Sequence, residues 1–89
     1  MRELVMKFED LKFDGEGSGS IQAWADCGKY EVSVVQSSVS YGGDRGLYEI
    51  GVFSKQTERM CDPLGWGDEV KGWLKPEDVE HYCNLISQK

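Results

Sequence analysis

Histidine occurs once, proline twice and cysteine three times in 89 residues, and there are 10 bases against 16 acids. Each shortage excludes something. Cys27, Cys61 and Cys83 are odd in number and widely spaced, with no C-x-x-C pair. They do not form the even framework of a small disulfide-built secreted domain. They read as three reduced, partly buried thiols. The scarcity of bases gives a net charge of −6 and a pI near 4.6. Direct binding to nucleic acid or to an anionic membrane needs a cationic face, so both are disfavoured. No apolar run approaches the roughly 20 residues of a membrane span. The opening MRELVMKFEDLKF carries acids at Glu3, Glu9 and Asp10 and does not read as a signal peptide. The expected location is the cytoplasm.

The scarcity of histidine also limits chemistry. His81 and Cys83 stand two apart on an expected helix and diverge, so they cannot share an ion unaided. A structural zinc site wants about four ligands, which here means His81 and all three cysteines with no motif behind them. No cysteine or serine occupies a recognised nucleophile context. The loop DGEGSG alternates Asp14, Glu16 and Ser18, but its twelfth position is Ala25, where a calcium loop needs a bidentate Glu. A phosphate loop needs a following helix, and a strand pattern follows instead. The expectation is therefore no metal, no cofactor and no enzyme activity.

What is present is a foldable pattern. Hydrophobic residues make up 39% and aromatics 11%, enough to argue against disorder and for a single domain over residues 1–89. In SIQAWADC, Ile21, Ala23 and Ala25 alternate with Gln22, Trp24 and Asp26. In YEVSVVQ, Tyr30, Val32 and Val34 alternate with Glu31 and Ser33. Cys27-Gly28-Lys29 is short enough to close a hairpin between them. GLYEIGVFS is a third strand, with Tyr48, Ile50 and Val52 on one face. Its loop SYGGDRG has Gly42 and Gly43 to supply positive φ. Residues 14–20, rich in Gly and Ser, predict a mobile loop. Residues 68–74 fit a helical turn or a short strand, and the N-terminal run is a candidate fourth strand. Pro76 fits a first helical position, followed by Glu77 and Asp78 at the positive helix end. Val79, Tyr82, Cys83 and Ile86 then fall on one face of a helix over 76–88. The fold class is α+β: an antiparallel β-meander of three to four strands packed against one C-terminal helix.

Function has to be sought in surfaces. The acids gather in residues 1–31 and 58–80, with a neutral middle. Trp24, Trp66 and Trp73 accompany four tyrosines, most of them expected in the core. Tyr41 beside two glycines and Trp66 between Gly65 and Gly67 are expected in surface loops, where Tyr and Trp make binding hot spots. Each has the alternative of folding back as a core plug. The candidate partner-binding set is Tyr41, Asp44, Asp62, Trp66, Asp68, Glu69, Glu77 and Asp78. An exposed edge at YEVSVVQ would allow pairing across a homodimer; otherwise the chain is a monomer.

The run SYGGDRGLYEIGVF, a DP-containing connector, and V-x-G-x-L-x-x-E-D-V resemble small proteins encoded by phages and prophages. The positions are Tyr41, Gly42, Gly46, Leu47, Tyr48, Glu49, Val70, Gly72, Leu74, Glu77, Asp78 and Val79, all in the C-terminal half. By analogy, the resemblance implies an accessory protein of a mobile element, acting in the cytoplasm of an infected bacterium. It would be a non-enzymatic inhibitor of a host antiviral defence complex, such as an anti-CRISPR protein. The implied partner is a Cas effector, whose nucleic-acid channel presents a basic surface. The alternatives are a binding module for other host machinery, a virion-associated protein, or a protein that sequesters a small molecule.

Overall fold

In the computed structural model, residues 6–15, 20–37, 40 and 43–89 are described, Asp44 by its backbone alone. Four strands form one sheet: β1 (Ile21–Cys27), β2 (Tyr30–Gln36), β3 (Tyr48–Ser54) and β4 (Val70–Leu74), in the order β1-β2-β3-β4. All neighbours are antiparallel, so the sheet is a meander. One helix, α1 (Pro76–Ser87), follows directly on β4. This is the α+β architecture expected, and it spans the whole described chain.

The alternation in the sequence sets which face of the sheet is covered. Ala23, Ala25 and Cys27 of β1, Val32 and Val34 of β2, Ile50 and Val52 of β3, and Leu74 of β4 are buried on one face. Val79, Cys83 and Ile86 of α1 are fully buried against them. The β1–β2 hairpin closes through Gly28 and Lys29, with Cys27 opposite Tyr30. Gly28 has φ +73° at the first central position, where a type II′ turn takes glycine.

Three expectations are corrected. The fourth strand comes from residues 70–74 and not from the N-terminal run, which holds a 3-10 turn at Phe8–Asp10 and a single bridge from Asp14 to Gln22. In the β2–β3 connection the left-handed residue is Gly46, φ +79°. Gly43 instead starts a 3-10 turn through Arg45, and Gly42 lies outside the described residues, as do positions 16–19 of the expected mobile loop. Strand β2 is central, so YEVSVVQ offers no edge; the edges are β1 and β4.

The lane beside β3 is filled by two segments. Just past β3, Ser54 N–H donates to Arg59 O (2.9 Å) and Cys61 N–H to Val52 O (2.9 Å), with Phe53 bridged to Met60. The chain then leaves the sheet and returns as β4, Val70 opposite Gly51 and Leu74 opposite Tyr48. Between those pairs β4 holds one extra residue, so Gly72 and Trp73 together face Glu49. This is a β-bulge.

The N-terminal segment fastens to α1. Met6 N–H donates to Asn84 Oδ1 (2.7 Å), Asn84 Nδ2 donates back to Met6 O (3.2 Å), and Phe8 N–H donates to Glu80 Oε2 (2.6 Å). Phe8 and Phe13 stack with Tyr48 at 5.0 and 5.7 Å between ring centres. Helix and segment thus share one side of the sheet.

Replacing Ile86 by Ala leaves a cavity under α1 and should cost about 2–5 kcal/mol. That is a large part of the roughly 5–10 kcal/mol that a domain of this size holds. The urea midpoint should fall with the slope unchanged, and Leu85→Ala at the helix edge should lower it much less. An unmoved midpoint in Ile86→Ala would contradict this seating of the helix.

Candidate functional site

Because strand side chains alternate, burying Ala23, Ala25, Val32, Val34, Ile50 and Val52 turns their neighbours to the opposite, outer face. Register defines its rows. Trp24 stands opposite Ser33, Ser33 opposite Gly51, and Gly51 opposite Val70; Asp26 stands opposite Glu31, and Glu31 opposite Phe53. Among the described residues no helix covers this face.

Its centre is apolar. Trp24 is 52% exposed and its ring lies 5.5 Å from that of Phe53, tilted by 55°. Gly51 has no Cβ because Met60 lies across it: a methyl there would come within 3.0 Å of Met60 Cε and 3.6 Å of Val70 Cγ1. Gln22 Nε2 donates to the buried Ser33 hydroxyl (2.8 Å). At the bulge, Trp73 is 57% exposed with φ +62°. A bulky residue in the left-handed region is a conformational outlier that costs on the order of 1–3 kcal/mol.

The rim is charged. Lys55 Nζ pairs with Asp26 Oδ1 at 2.7 Å, and that hydrogen bond holds the Asp26 carboxyl below its ordinary value. Beside the pair, an open cavity of about 300 Å³ is lined by Trp24, Glu31, Phe53, Ser54, Lys55 and Glu58.

The residues singled out from sequence lie elsewhere. Tyr41 is outside the described residues, and Asp44 is described only by its place in the 3-10 turn. Asp62, Trp66, Asp68 and Glu69 share the excursion between Cys61 and β4. The Asp62 carboxylate accepts from Trp66 N–H (2.8 Å) and Gly67 N–H (2.7 Å); these bonds, the Trp66 one foremost, lower its pKa. It therefore organises its own loop. Trp66 is half-buried, set edge-on to Tyr82 of α1 (5.4 Å, 88°). Lys71 Nζ lies 5.9 Å from the Trp66 ring centre and 5.8 Å from that of Tyr82, a cation–π arrangement. Asp68 and Glu69 are exposed, with Asp68 Oδ1 accepting from Glu69 N–H (2.6 Å). At the start of α1, Asp78 Oδ2 accepts from Lys75 N–H (3.0 Å), a cap contributed from within the helix, while Glu77 is exposed.

Among the described residues the exposed tryptophans are Trp24 and Trp73, while Trp66 takes its alternative and packs against the core. For Trp24 a signal existed, since it alternates with Ala23 and Ala25. For Trp73 none did, because the bulge interrupts alternation.

Among the described residues no group of three or more His, Cys, Asp or Glu is placed to hold a metal ion, and no helix is long and apolar enough to cross a membrane. Cys27 and Cys83 are buried; a hydrogen bond to Cys27, reinforced by burial, pushes the Cys83 thiol far up. Burial, then the charges of Asp62 and Glu69, raise Cys61. Raised thiols are poor nucleophiles at neutral pH.

Asp62 supplies a pH prediction. A carboxyl with a lowered folded pKa stabilises above its unfolded value, about 3.9, and loses that contribution as pH falls through the folded value. Protection of the Trp66 and Gly67 amides against hydrogen exchange should hold at neutral pH and weaken below about pH 4. In Asp62→Ala it should be low throughout; full protection there would refute this role.

No family model, no curated protein and no solved structure matches this chain.

Proposed function

We propose that this chain is a non-enzymatic inhibitor that binds a basic protein surface through the outer face of its sheet. The observation that carries the reading is the pair of exposed tryptophans, Trp24 on the face that α1 leaves uncovered and Trp73 at the bulge of the β4 edge. Exposed apolar surface ringed by polar groups marks interaction sites, and buried Trp anchors dominate binding energy.

An aromatic sheet face is also how some proteins stack single-stranded nucleic acid, but those platforms sit in cationic grooves. Here the rim carries Glu31 and Glu58, and Lys55 is already paired with Asp26. At a net charge of −6, charge selects a basic protein over a phosphate backbone. The resemblance to phage-encoded accessory proteins makes a Cas effector the first partner to test.

Size adds a constraint. Four strands about 4.8 Å apart and about 23 Å long give a flat face of roughly 400 Å². A standard interface takes about 800 Å² from each partner. The face therefore acts as the centre of a larger footprint, and the exposed Asp68, Glu69 and Glu77 are available to its rim.

The test is capture of an identified partner by the tagged chain from a host carrying CRISPR–Cas, followed by titration with purified components. Trp24→Ala and Trp73→Ala should each weaken binding about 30-fold, the size of a hot-spot loss near 2 kcal/mol, and relieve inhibition of the effector. Full affinity in both variants, with loss in Trp66→Ala or in Asp68 and Glu69 charge reversals, would move the site to the β3–β4 excursion. Recovery of polymerase or a virion protein would overturn the choice of target.

A further inference from the structure

We infer that the cavity beside Trp24 receives one arginine side chain of the partner protein, an inference that rests on the binding reading above and gives that face its specificity. The strand pair beside this cavity carries an electrostatic cost. Asp26 of β1 and Glu31 of β2 are directly opposite each other in the antiparallel register, on the outer face. Like charges in that arrangement are destabilising. Lys55 answers one of them, with its Nζ 2.7 Å from Asp26 Oδ1. Glu31 has no ion-pair partner among the described residues. Glu58, across the same cavity, has none either, and its backbone sits at φ +61° with its N–H bonded to Ser54 O (2.7 Å). The cavity is therefore walled by two carboxylates with no ion-pair partner among the described residues, two aromatic rings, Ser54, and Lys55, whose charge is taken up by Asp26 beside it.

The chemistry of the walls selects which cation. An ammonium is a compact, strongly hydrated point charge, whereas a guanidinium is planar, weakly hydrated, stacks on aromatic faces and donates in a fork. Trp24, half-exposed and braced by Phe53, offers a ring to lie on. Glu31 and Glu58 offer acceptors for charge-assisted hydrogen bonds. A volume of about 300 Å³ stands at the lower end of ligand sites and suits a single side chain rather than a folded element. Lys55, held by Asp26, forms the part of the wall that carries no net demand.

The experiment is an NMR titration with three capped tripeptides, Gly-Arg-Gly, Gly-Lys-Gly and Gly-citrulline-Gly, following the Trp24 indole N–H. The arginine peptide should shift that resonance saturably. The lysine peptide should bind several-fold more weakly, and the uncharged citrulline peptide not measurably. Glu31→Gln and Glu58→Gln should each weaken the arginine peptide about tenfold, the equivalent of a charge-assisted hydrogen bond. A second readout needs no ligand: Glu31→Gln removes the repulsion opposite Asp26, so its urea midpoint should rise. Equal shifts from all three peptides, or a lowered midpoint in Glu31→Gln, would overturn the inference. Free L-arginine matching the peptide would also overturn it, by assigning the cavity to a small metabolite. The two readings fail separately. A partner lost with Trp24→Ala but indifferent to Glu31→Gln and Glu58→Gln would remove the arginine site and keep the binding face. Specific arginine binding with no protein partner on that face would do the reverse.

Discussion

Val79, Cys83 and Ile86 make a single apolar stripe along α1, and their packing in one core with Ala25 and Cys27 of β1, Val32 and Val34 of β2, and Ile50 and Val52 of β3 is the contact on which the remaining structure depends. Among the described residues α1 is the only α-helix. It lies on one face of the sheet, and among the described residues no helix covers the other. The N-terminal segment does not change this, because its bonds to Asn84 and Glu80 commit it to the helix side. The asymmetry between the two faces of the sheet, among the described residues, thus follows from the position of one apolar stripe.

The uncovered face mixes polar and apolar residues: beside Asp26, Glu31 and Ser33 it carries Trp24, Phe53, Val70 and Met60, with Gly51 admitting the Met60 side chain. Two features in and beside it work against stability. Trp73 occupies a left-handed conformation at a bulge, and Asp26 faces Glu31 across a strand pair. Strain and like-charge pairs persist where surrounding structure enforces them, and they concentrate at functional positions. Together with the exposed rings they are consistent with the proposal that this region binds a partner.

The sequence made the covered face legible and the uncovered one much less so. Alternation located β1 to β3 and their buried sides, and the spacing of Val79, Cys83 and Ile86 located α1, because burial imposes a period that residues report directly. For residues 68–74 the sequence left a helical turn and a short strand both open, and the strand is what forms; five residues with Gly72 inside and a bulge before Leu74 do not alternate, so periodicity could not choose. Positive φ at Gly46 rather than Gly43 depended on the details of a turn. Trp66, flanked by glycines, suggested exposure, but the Asp62 carboxylate folds its loop so that the ring meets Tyr82. Reading Trp24 as an outward residue required only that Ala23 and Ala25 point inward. The like-charge pair of Asp26 and Glu31 was invisible until register placed them opposite.

The central claim is the one-sided sheet with its tryptophans outside, and acrylamide quenching of three variants, each keeping one tryptophan and carrying phenylalanine at the other two, tests it most directly. Trp24 and Trp73 should be quenched readily, each being more than half exposed. Trp66, packed edge-on to Tyr82, should be several-fold less accessible. Strong protection of Trp24 and Trp73, with Trp66 the most accessible of the three, would show that the outer face is covered and would contradict the account.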